Sequence, residues 1–341
     1  AMGRLAALKW EKPVLPPKEV DNACLKLEQA IQNRKMSQRK HRLYKMRWWS
    51  ASVAAAILIL FVSVEVIWKS APAIDYLALL QVNDSVFMSG KTQLFVDDQL
   101  KETFEGNPDL AYDQMATDAG EGEFNKLVVS YGKRARVTLC DGTKIWANAG
   151  TVLLYPTHFE DKKREIYVDG EIYIDVTPNP EKPFIVHADD INVKVLGTVF
   201  NVRSYPEDSE IEVSLIKGKV NVFSTSETRD NVILAPDEQL TYDKRSGKMN
   251  HHHVDALQTS QWTTGRLSFV NASVPEIMKA IERKYDVRIV IHSKYLDKEV
   301  FSGSISPKLT VEEILDYMDV DNKYSWSRSG NVITITDKLI K

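Results

Sequence analysis

One stretch of the sequence limits what the chain can fold into more than any other. Residues 48–68 (WWSASVAAAILILFVSVEVIW) are almost entirely apolar. At about 1.5 Å of rise per residue, a helix of this length spans a hydrocarbon core of roughly 30 Å. It does not have the pattern of a cleaved signal peptide, because residues 1–47 precede it and no A-x-A site follows. The stretch therefore predicts one transmembrane helix at 48–68.

The basic residues around this stretch predict its orientation. Seven Lys or Arg residues lie between Arg34 and Arg47, whereas only Lys69 lies between Trp68 and Lys91. The positive-inside rule therefore places residues 1–47 in the cytoplasm and everything after Lys69 across the membrane. A basic segment can also bind nucleic acid, but charges this close to a span favour membrane anchoring, and we expect no direct nucleic-acid contact.

The cytoplasmic segment contains a helical pattern at residues 19–45, in which apolar side chains recur every three or four positions. The stripe consists of Val20, Cys24, Leu27 and Ile31, with Ala23 and Ala30 beside them. A lone helix of this size is marginal in water, so the stripe requires a partner or the membrane surface. Two interpretations stay open, namely a helix that binds a partner through this stripe and a membrane-proximal stalk.

The two cysteines predict a fold without disulfides. Cys24 and Cys140 lie on opposite sides of the predicted span, so they cannot pair with each other. The part beyond the span must therefore fold without an internal disulfide. It is long enough to bury a core that makes this possible.

Residues 126–245 have the pattern of an all-β domain. Asp141-Gly142 lies between two runs of alternating apolar residues, which is a strong hairpin signal. The run REIYVDGEIYIDV (164–176) alternates throughout. Between residues 191 and 205 the alternation changes parity at 196–199, which requires a bulge or a turn. The pattern predicts a β-sandwich or a β-roll-like domain.

Two stretches predict connections. Residues 69–125 are expected to be a linker with some strands, including a strand at 92–98 and a loop at 106–123. Residues 246–261 are polar and predict a second linker. The latter contains the triplet 251–253 (HHH), which could bind a metal. It has no acidic or cysteine partner at ligand spacing, so we expect no metal there.

Residues 262–341 predict a small α+β domain. Capping-box patterns (S/T-x-x-E) precede apolar helical runs at 274–285 and 311–320. Alternating runs before, between and after these helices predict a β-α-β, β-α-β-β order, which ends in a hairpin.

The motifs of common catalytic classes are absent from the sequence. There is no G-x-S-x-G, H-E-x-x-H, P-loop or C-x-x-C pattern. A hydrolase therefore lacks a recognisable catalytic constellation, and we predict a non-enzyme without a cofactor or a metal. Gly197-Thr198 is the one chemically suggestive pair. A Thr hydroxyl beside a strained Gly-Thr bond can attack the preceding carbonyl and cleave the chain, whereas the alternative is that Gly197 permits the change of parity.

Four blocks of the β region carry a family resemblance. They are GKRARVTLCDGTKIWANAGTVLLYP (132–156), VDGEIYIDV (168–176), NPEKPFIVHADDINVKVLGTVFNVRSY (179–205) and SLIKGKVNV (214–222). This region resembles the FecR family of membrane-anchored sigma regulators, although Cys140 stands where the family's turn usually has proline. The run GRLSFVNASVPEIMKAIERKYDVRIVI (265–291) resembles the extra C-terminal domain of FecR-like proteins of the Bacteroidetes, which is similar in order to the secretin and TonB short N-terminal domain.

The resemblance implies a single-pass inner-membrane anti-sigma factor. It implies that residues 1–47 bind an extracytoplasmic-function sigma factor and that the rest of the chain is periplasmic. It also implies an input from the N-terminal signalling domain of a TonB-dependent outer-membrane transporter. Some members of the family are processed at the position of Gly197-Thr198, and a site-2-type intramembrane protease then acts on the span. The alternative from another class is a membrane-anchored periplasmic binding or scaffold module without cytoplasmic output.

Overall fold

The structure, a computed structural model, describes residue 29 and residues 76–111, 124–159, 162–225, 231–293, 296, 299–319 and 322–338. The chain divides into the units Ala1–Ile74 and Asp75–Lys341, and every element below belongs to the second unit. The predicted span at 48–68 and the apolar stripe of the predicted cytoplasmic helix lie outside the described residues. None of the described helices has the length and apolar character needed to cross a membrane.

Strands dominate this unit, which confirms the prediction of a mainly β chain. The strands are β1 (Thr92–Val96), β2 (Gln99–Phe104), β3 (Asp109–Ala111), β4 (Phe124–Val128), β5 (Ala135–Thr138), β6 (Lys144–Ala147), β7 (Val152–Pro156), β8 (Arg164–Asp175), β9 (Phe184–Ala188), β10 (Ile191–Val195), β11 (Val199–Ser204), β12 (Glu210–Lys217), β13 (Val220–Ser224), β14 (Asn231–Leu234), β15 (Glu238–Asp243), β16 (Met249–His253), β17 (Leu267–Ser273), β18 (Arg288–His292), β19 (Val300–Ile305), β20 (Tyr324–Ser329) and β21 (Val332–Asp337). The helices are α1 (Tyr76–Leu80), α2 (Asp84–Phe87), α3 (Ala256–Thr259), α4 (Val274–Tyr285) and α5 (Val311–Met318), with a 3-10 helix at Gln261–Thr264.

Strands β1 to β16 form two sheets that share β8. The first half of β8 pairs with β7 and β9, and the second half pairs with β6 and β11. The strand order β14-β13-β10-β9-β8-β11-β12-β15-β16 therefore passes from one sheet to the other through this strand. We call strands β1 to β16 together the β domain.

The alternating sequence of β8 explains why this strand can serve both sheets. Every second residue from Arg164 to Ile174 is buried, and Ile166, Val168, Ile172 and Ile174 have no exposed surface. The same strand face therefore contributes to one continuous core along its whole length. That core includes side chains from both sheets, such as Leu153, Phe184, Val193, Phe200, Val213 and Leu240.

Gly170 lies at the point where β8 changes partners. A Cβ atom at this position would lie 2.6 Å from the Cα atom of Thr151 and 2.5 Å from its Oγ1 atom. The backbone also has a φ of +125°, which residues other than glycine rarely adopt. Thr151, directly before β7, therefore lies so close to this position that only glycine fits.

The change in the alternation of buried residues, predicted at 196–199, occurs where the chain passes from one sheet to the other. Strand β10 pairs with β9 and β13 in one sheet, and β11 pairs with β8 and β12 in the other. Because the intervening residues leave the strand conformation, the buried face can change without a continuous ladder. The predicted hairpin around Asp141-Gly142 is also confirmed as β5–β6, and the Asp141 carboxylate accepts a 2.6 Å hydrogen bond from the buried Arg164.

Helices α1 and α2 cover the other face of the first sheet. Leu80 packs with Val128, Val152 and Leu154 in a small separate cluster. The ring of Tyr76 stacks on Tyr167 at 4.3 Å between centroids. The segment that leads into the β domain is therefore part of its packing.

Two predicted connections contain regular structure. The loop expected at 106–123 includes β3, which pairs in parallel with β5. The linker expected at 246–261 contains β16 and α3, and the 3-10 helix begins at its last residue, so that prediction is wrong. Strand β16 forms a backbone ladder with β15 while its three histidines are exposed. Because backbone hydrogen bonds, not an apolar face, hold this strand, the sequence shows no alternation to reveal it.

The C-terminal module, which we define as β17 to β21 with α4 and α5, has the predicted order of elements. Both helices begin with a complete capping box, at Ser273 with Glu276 and at Thr310 with Glu313. Strand β18 pairs in parallel with β21, which forms the predicted hairpin with β20. A separate core closes the module, built from residues such as Val274, Ile277, Ile281, Ile314, Leu315, Ile333 and Ile335.

The packing at Gly170 generates a stability prediction. Gly170→Ala should lower the free energy of unfolding by about 3 kcal/mol, because the new methyl group overlaps Thr151 and the backbone is strained. Urea denaturation of the full chain measures the change. Gly303→Ala is the matched control, since nothing lies within 4 Å of a Cβ atom there, and it should stay within about 0.5 kcal/mol of the unchanged chain. Equal effects of the two substitutions would contradict the role given to Gly170.

Candidate functional site: the junction between the β domain and the C-terminal module

Helix α4 attaches the C-terminal module to the β domain through Arg283. This side chain is 7% exposed, and its Nη1 atom forms an ion pair with the Glu207 carboxylate. The guanidinium lies over the Tyr205 ring at 3.7 Å from the centroid. The backbone N–H of Gly132 donates a 2.7 Å hydrogen bond to the Arg283 carbonyl. Burying a guanidinium is costly unless it is paired, so these contacts fix the position of the helix.

The turn between β11 and β12 supplies the acidic side of this contact. Arg203 donates two hydrogen bonds to one Asp208 oxygen, at 3.1 Å from Nε and 2.7 Å from Nη2. Burial would raise the pKa of Asp208, but the charges of Arg203 and Arg283 outweigh it and hold that pKa below its usual range. Lys279 of α4 adds a longer ion pair with Asp208 at 3.7 Å. The turn is therefore charged and complementary to α4.

A chain of polar side chains extends from β8 to the turn before the module. The Glu171 carboxylate accepts hydrogen bonds from the Asn148 amide at 2.8 Å and the Asn201 amide at 3.1 Å. Asn201 in turn accepts a 2.9 Å hydrogen bond from the indole N–H of Trp262. Burial raises the pKa of the Glu171 carboxyl, and the charge of Arg203, followed by the hydrogen bonds from the two amides, partly offsets this effect. Glu171 thus links the shared strand to the one large aromatic side chain of the connection.

The Trp262 turn is held from both sides of the junction. Arg134 of the β domain donates hydrogen bonds of 2.8 Å to the carbonyls of Trp262 and Thr263. Lys284 of α4 donates a 2.6 Å hydrogen bond to the carbonyl of Gly265. A cavity of about 170 Å³ opens beside this turn. No local pattern in the sequence indicates this arrangement, because its members are far apart in the chain and none forms a recognisable motif.

Gly197 and Thr198, the predicted processing pair, lie in the turn between β10 and β11. A Cβ atom on Gly197 would lie 2.6 Å from the Cα atom of Pro178, so packing alone requires glycine. The Thr198 side chain is 3% exposed, and its hydroxyl donates a 3.0 Å hydrogen bond to the carbonyl of Lys219. Within the described part of the chain, no acidic, histidine or lysine side chain bonds to this hydroxyl. Activation of a Thr nucleophile generally needs such a base.

Metal binding finds no support in the described residues. They contain no group of three or more His, Cys, Asp or Glu side chains that could hold a metal ion. The triplet 251–253 lies on the exposed strand β16. Cys140 is a free thiol, and burial raises its pKa, which makes it a poor nucleophile.

The geometry at Arg283 predicts a stability change. Arg283→Gln should lower the free energy of unfolding by about 3 kcal/mol, because Glu207 and Asp208 lose a buried partner. Urea denaturation of the full chain gives the value. Arg328→Gln is the matched control, since its ion pair with Glu312 is more exposed, and it should cost less than about 1 kcal/mol. A small effect at both positions would show that Arg283 does not hold the junction.

The geometry at Thr198 predicts an intact chain. Because the hydroxyl has a carbonyl rather than a base as its partner, we expect the purified chain to keep its full mass on prolonged incubation. Thr198→Ala should lower the free energy of unfolding by about 1 kcal/mol through loss of the hydrogen bond to Lys219. Intact-mass spectrometry and urea denaturation measure the two effects. A fragment that begins at Thr198 in the unchanged chain, and is absent from Thr198→Ala, would establish self-cleavage instead.

Comparison with known proteins identifies the family. Residues 125–221 match the model of the FecR protein family, and residues 266–335 match that of the FecR C-terminal domain. Two crystal structures of a proposed anti-sigma factor from Parabacteroides distasonis, at 1.65 and 2.50 Å resolution, share 30% sequence identity and a TM-score of 0.59 with this chain. Each match covers 63% of this chain, and 99% and 100% of the respective solved chains. None of the curated proteins matches. With both domain models and the solved structures in agreement, the chain belongs to the FecR family of anti-sigma factors.

Proposed function

We propose that this anti-sigma factor holds an extracytoplasmic-function sigma factor through residues 1–47 and crosses the bacterial inner membrane once, at 48–68. The observation that carries the proposal is the family membership, combined with the charge asymmetry around the apolar stretch. The β domain and the C-terminal module are then periplasmic. The protein acts as a regulator rather than as an enzyme.

The output rests on the apolar stripe of the first segment. The predicted helix would place Val20, Cys24, Leu27 and Ile31 on one side, and a sigma factor would cover that side. Burial of the stripe against a partner would stabilise a helix that is marginal alone. A scaffold without cytoplasmic output would leave the same side chains without a function.

A double substitution tests the output. Leu27→Asp with Ile31→Asp should weaken sigma-factor binding by at least about 100-fold, because two charges would have to be buried at the contact. Co-purification with the sigma factor and sigma-dependent transcription are the measurements. Gln29→Asp with Asn33→Asp adds the same charge to the opposite side of the helix and should leave binding nearly unchanged. If the Leu27→Asp, Ile31→Asp variant still controlled transcription normally, the stripe would not bind the sigma factor, and the protein would be better explained as a scaffold without cytoplasmic output.

The input is proposed to reach the C-terminal module. Strands β17 and β19 pair with each other and with no further strand among the described residues. Val270 and Val300 on these strands are 74% and 62% exposed. Exposed strand edges with apolar residues accept an added strand from a partner. We propose the N-terminal signalling domain of a TonB-dependent outer-membrane transporter as that partner, with a site-2-type intramembrane protease acting later on residues 48–68.

Removal of the module tests the input. A chain lacking residues 265–341 should still be found in the membrane fraction but should no longer change sigma-dependent transcription when the transported nutrient is supplied. The reason is that the proposed contact strands are lost while the β-domain core, which includes none of these residues, remains. Fractionation and a transcriptional reporter provide the readouts. A normal nutrient response of the shortened chain would place the input in the β domain.

A further inference from the structure

The cavity beside the Trp262 turn has an unbalanced charge. Its lining includes one carboxylate, that of Glu171, and six basic side chains. The basic residues are Lys133, Arg134, Arg203, Arg266, Arg283 and Lys284. They come from the β domain, the turn and helix α4, so the cationic lining exists only when the three are assembled. At about 170 Å³ the cavity has room for several water molecules or for a small ligand.

Two of these cations are neutralised within the protein. Arg203 is paired with Asp208 at 2.7 Å, and Arg283 is paired with Glu207. The carboxylates of the turn between β11 and β12 therefore balance the charges of these two arginines. After these two pairs, the lining keeps four basic side chains and the single carboxylate of Glu171, so positive charge remains in excess.

Arg134 and Lys284 converge on Gly265 without an acidic partner in the described part of the chain. Arg134 donates to the carbonyls of Trp262 and Thr263, and Lys284 donates to that of Gly265. A Cβ atom on Gly265 would lie 3.5 and 3.7 Å from the two terminal nitrogens of Arg134. Both side chains are half-buried. Two cations held this close in a partly desolvated site repel each other unless an anion lies between them.

The same surroundings make Lys284 easier to deprotonate. Burial, followed by the charge of Arg134, lowers the pKa of Lys284 to about 8. A bound oxyanion would offset this lowering of the pKa, because it supplies a countercharge and accepts hydrogen bonds from the N–H groups. Guanidinium and ammonium groups together are the side chains that recognise phosphate and carboxylate.

We propose that this junction cavity binds a small oxyanion, either a phosphate or a small carboxylic acid, through Arg134, Arg266 and Lys284. The bound anion would connect the β domain, the Trp262 turn and α4, and would add to the contacts that hold the C-terminal module in place. Occupancy of the cavity and docking of the module are then thermodynamically linked.

Calorimetric titration of the purified full chain tests the proposal. Inorganic phosphate and citrate are the two probes, with sodium chloride at matched ionic strength as the reference. We expect saturable binding of at least one probe and a rise in the unfolding temperature at saturation. The tighter probe identifies the class, phosphate or carboxylate. Absence of saturable binding for both, or an equal stabilisation by chloride, would overturn the proposal.

Substitutions locate the site. Lys284→Gln and Arg266→Gln should each weaken the binding at least about tenfold, since each removes a charge-assisted hydrogen bond. Lys133→Gln removes a lining charge that makes no hydrogen bond within the described structure, so a weaker but measurable loss is expected without any effect on folding. Lys101→Gln, at an exposed position on β2, is the matched control and should leave the affinity unchanged. An equal loss in the Lys101 variant would show that the anion binds through general surface charge, which would also overturn the proposal.

Discussion

The sharing of β8 by two sheets is the constraint on which the rest of the structure depends. The strand keeps one face buried from Arg164 to Ile174 while its neighbours change from β7 and β9 to β6 and β11. One core can then serve both sheets. The exchange of partners at Gly170 requires close approach to Thr151, where no side chain fits. The fold thus depends on a residue whose contribution is the absence of a Cβ atom.

The same exchange positions the junction. Glu171 follows Gly170 directly and faces away from the core. There it accepts hydrogen bonds from Asn148, which follows β6, and from Asn201 on β11. Asn201 then fixes the Trp262 indole. The polar chain that reaches the Trp262 turn, just before the C-terminal module, therefore begins at the point where the two sheets meet. The module is thus tied to the β domain at two places, namely the centre through the Trp262 turn and the β11–β12 turn through Arg283.

Much of the fold could be predicted from local patterns, whereas the site could not. The alternation in β8 and the capping boxes at Ser273 and Thr310 are properties of neighbouring residues, and each predicted its element correctly. The change of parity at 196–199 was also informative, because a strand cannot change its buried face without a break. Strand β16 was missed since its stability comes from its ladder with β15 and not from an apolar face. The junction was missed because its contacts join residues far apart in the chain, such as Arg134 with Trp262 and Glu207 with Arg283.

The chemistry of the junction differs from that of the two cores it joins. The β domain and the C-terminal module each close their own apolar cluster. The described contacts between them include ion pairs and hydrogen bonds at Arg283 and Lys279, and the buried aromatic side chains at the junction are Tyr205 and Trp262. Water can replace polar contacts on separation, whereas exposure of an apolar core has no such compensation. Separation of the module would therefore leave both cores intact and would be sensitive to salt and to anions. At a polar junction of this kind, two folded units can separate without exposing either core.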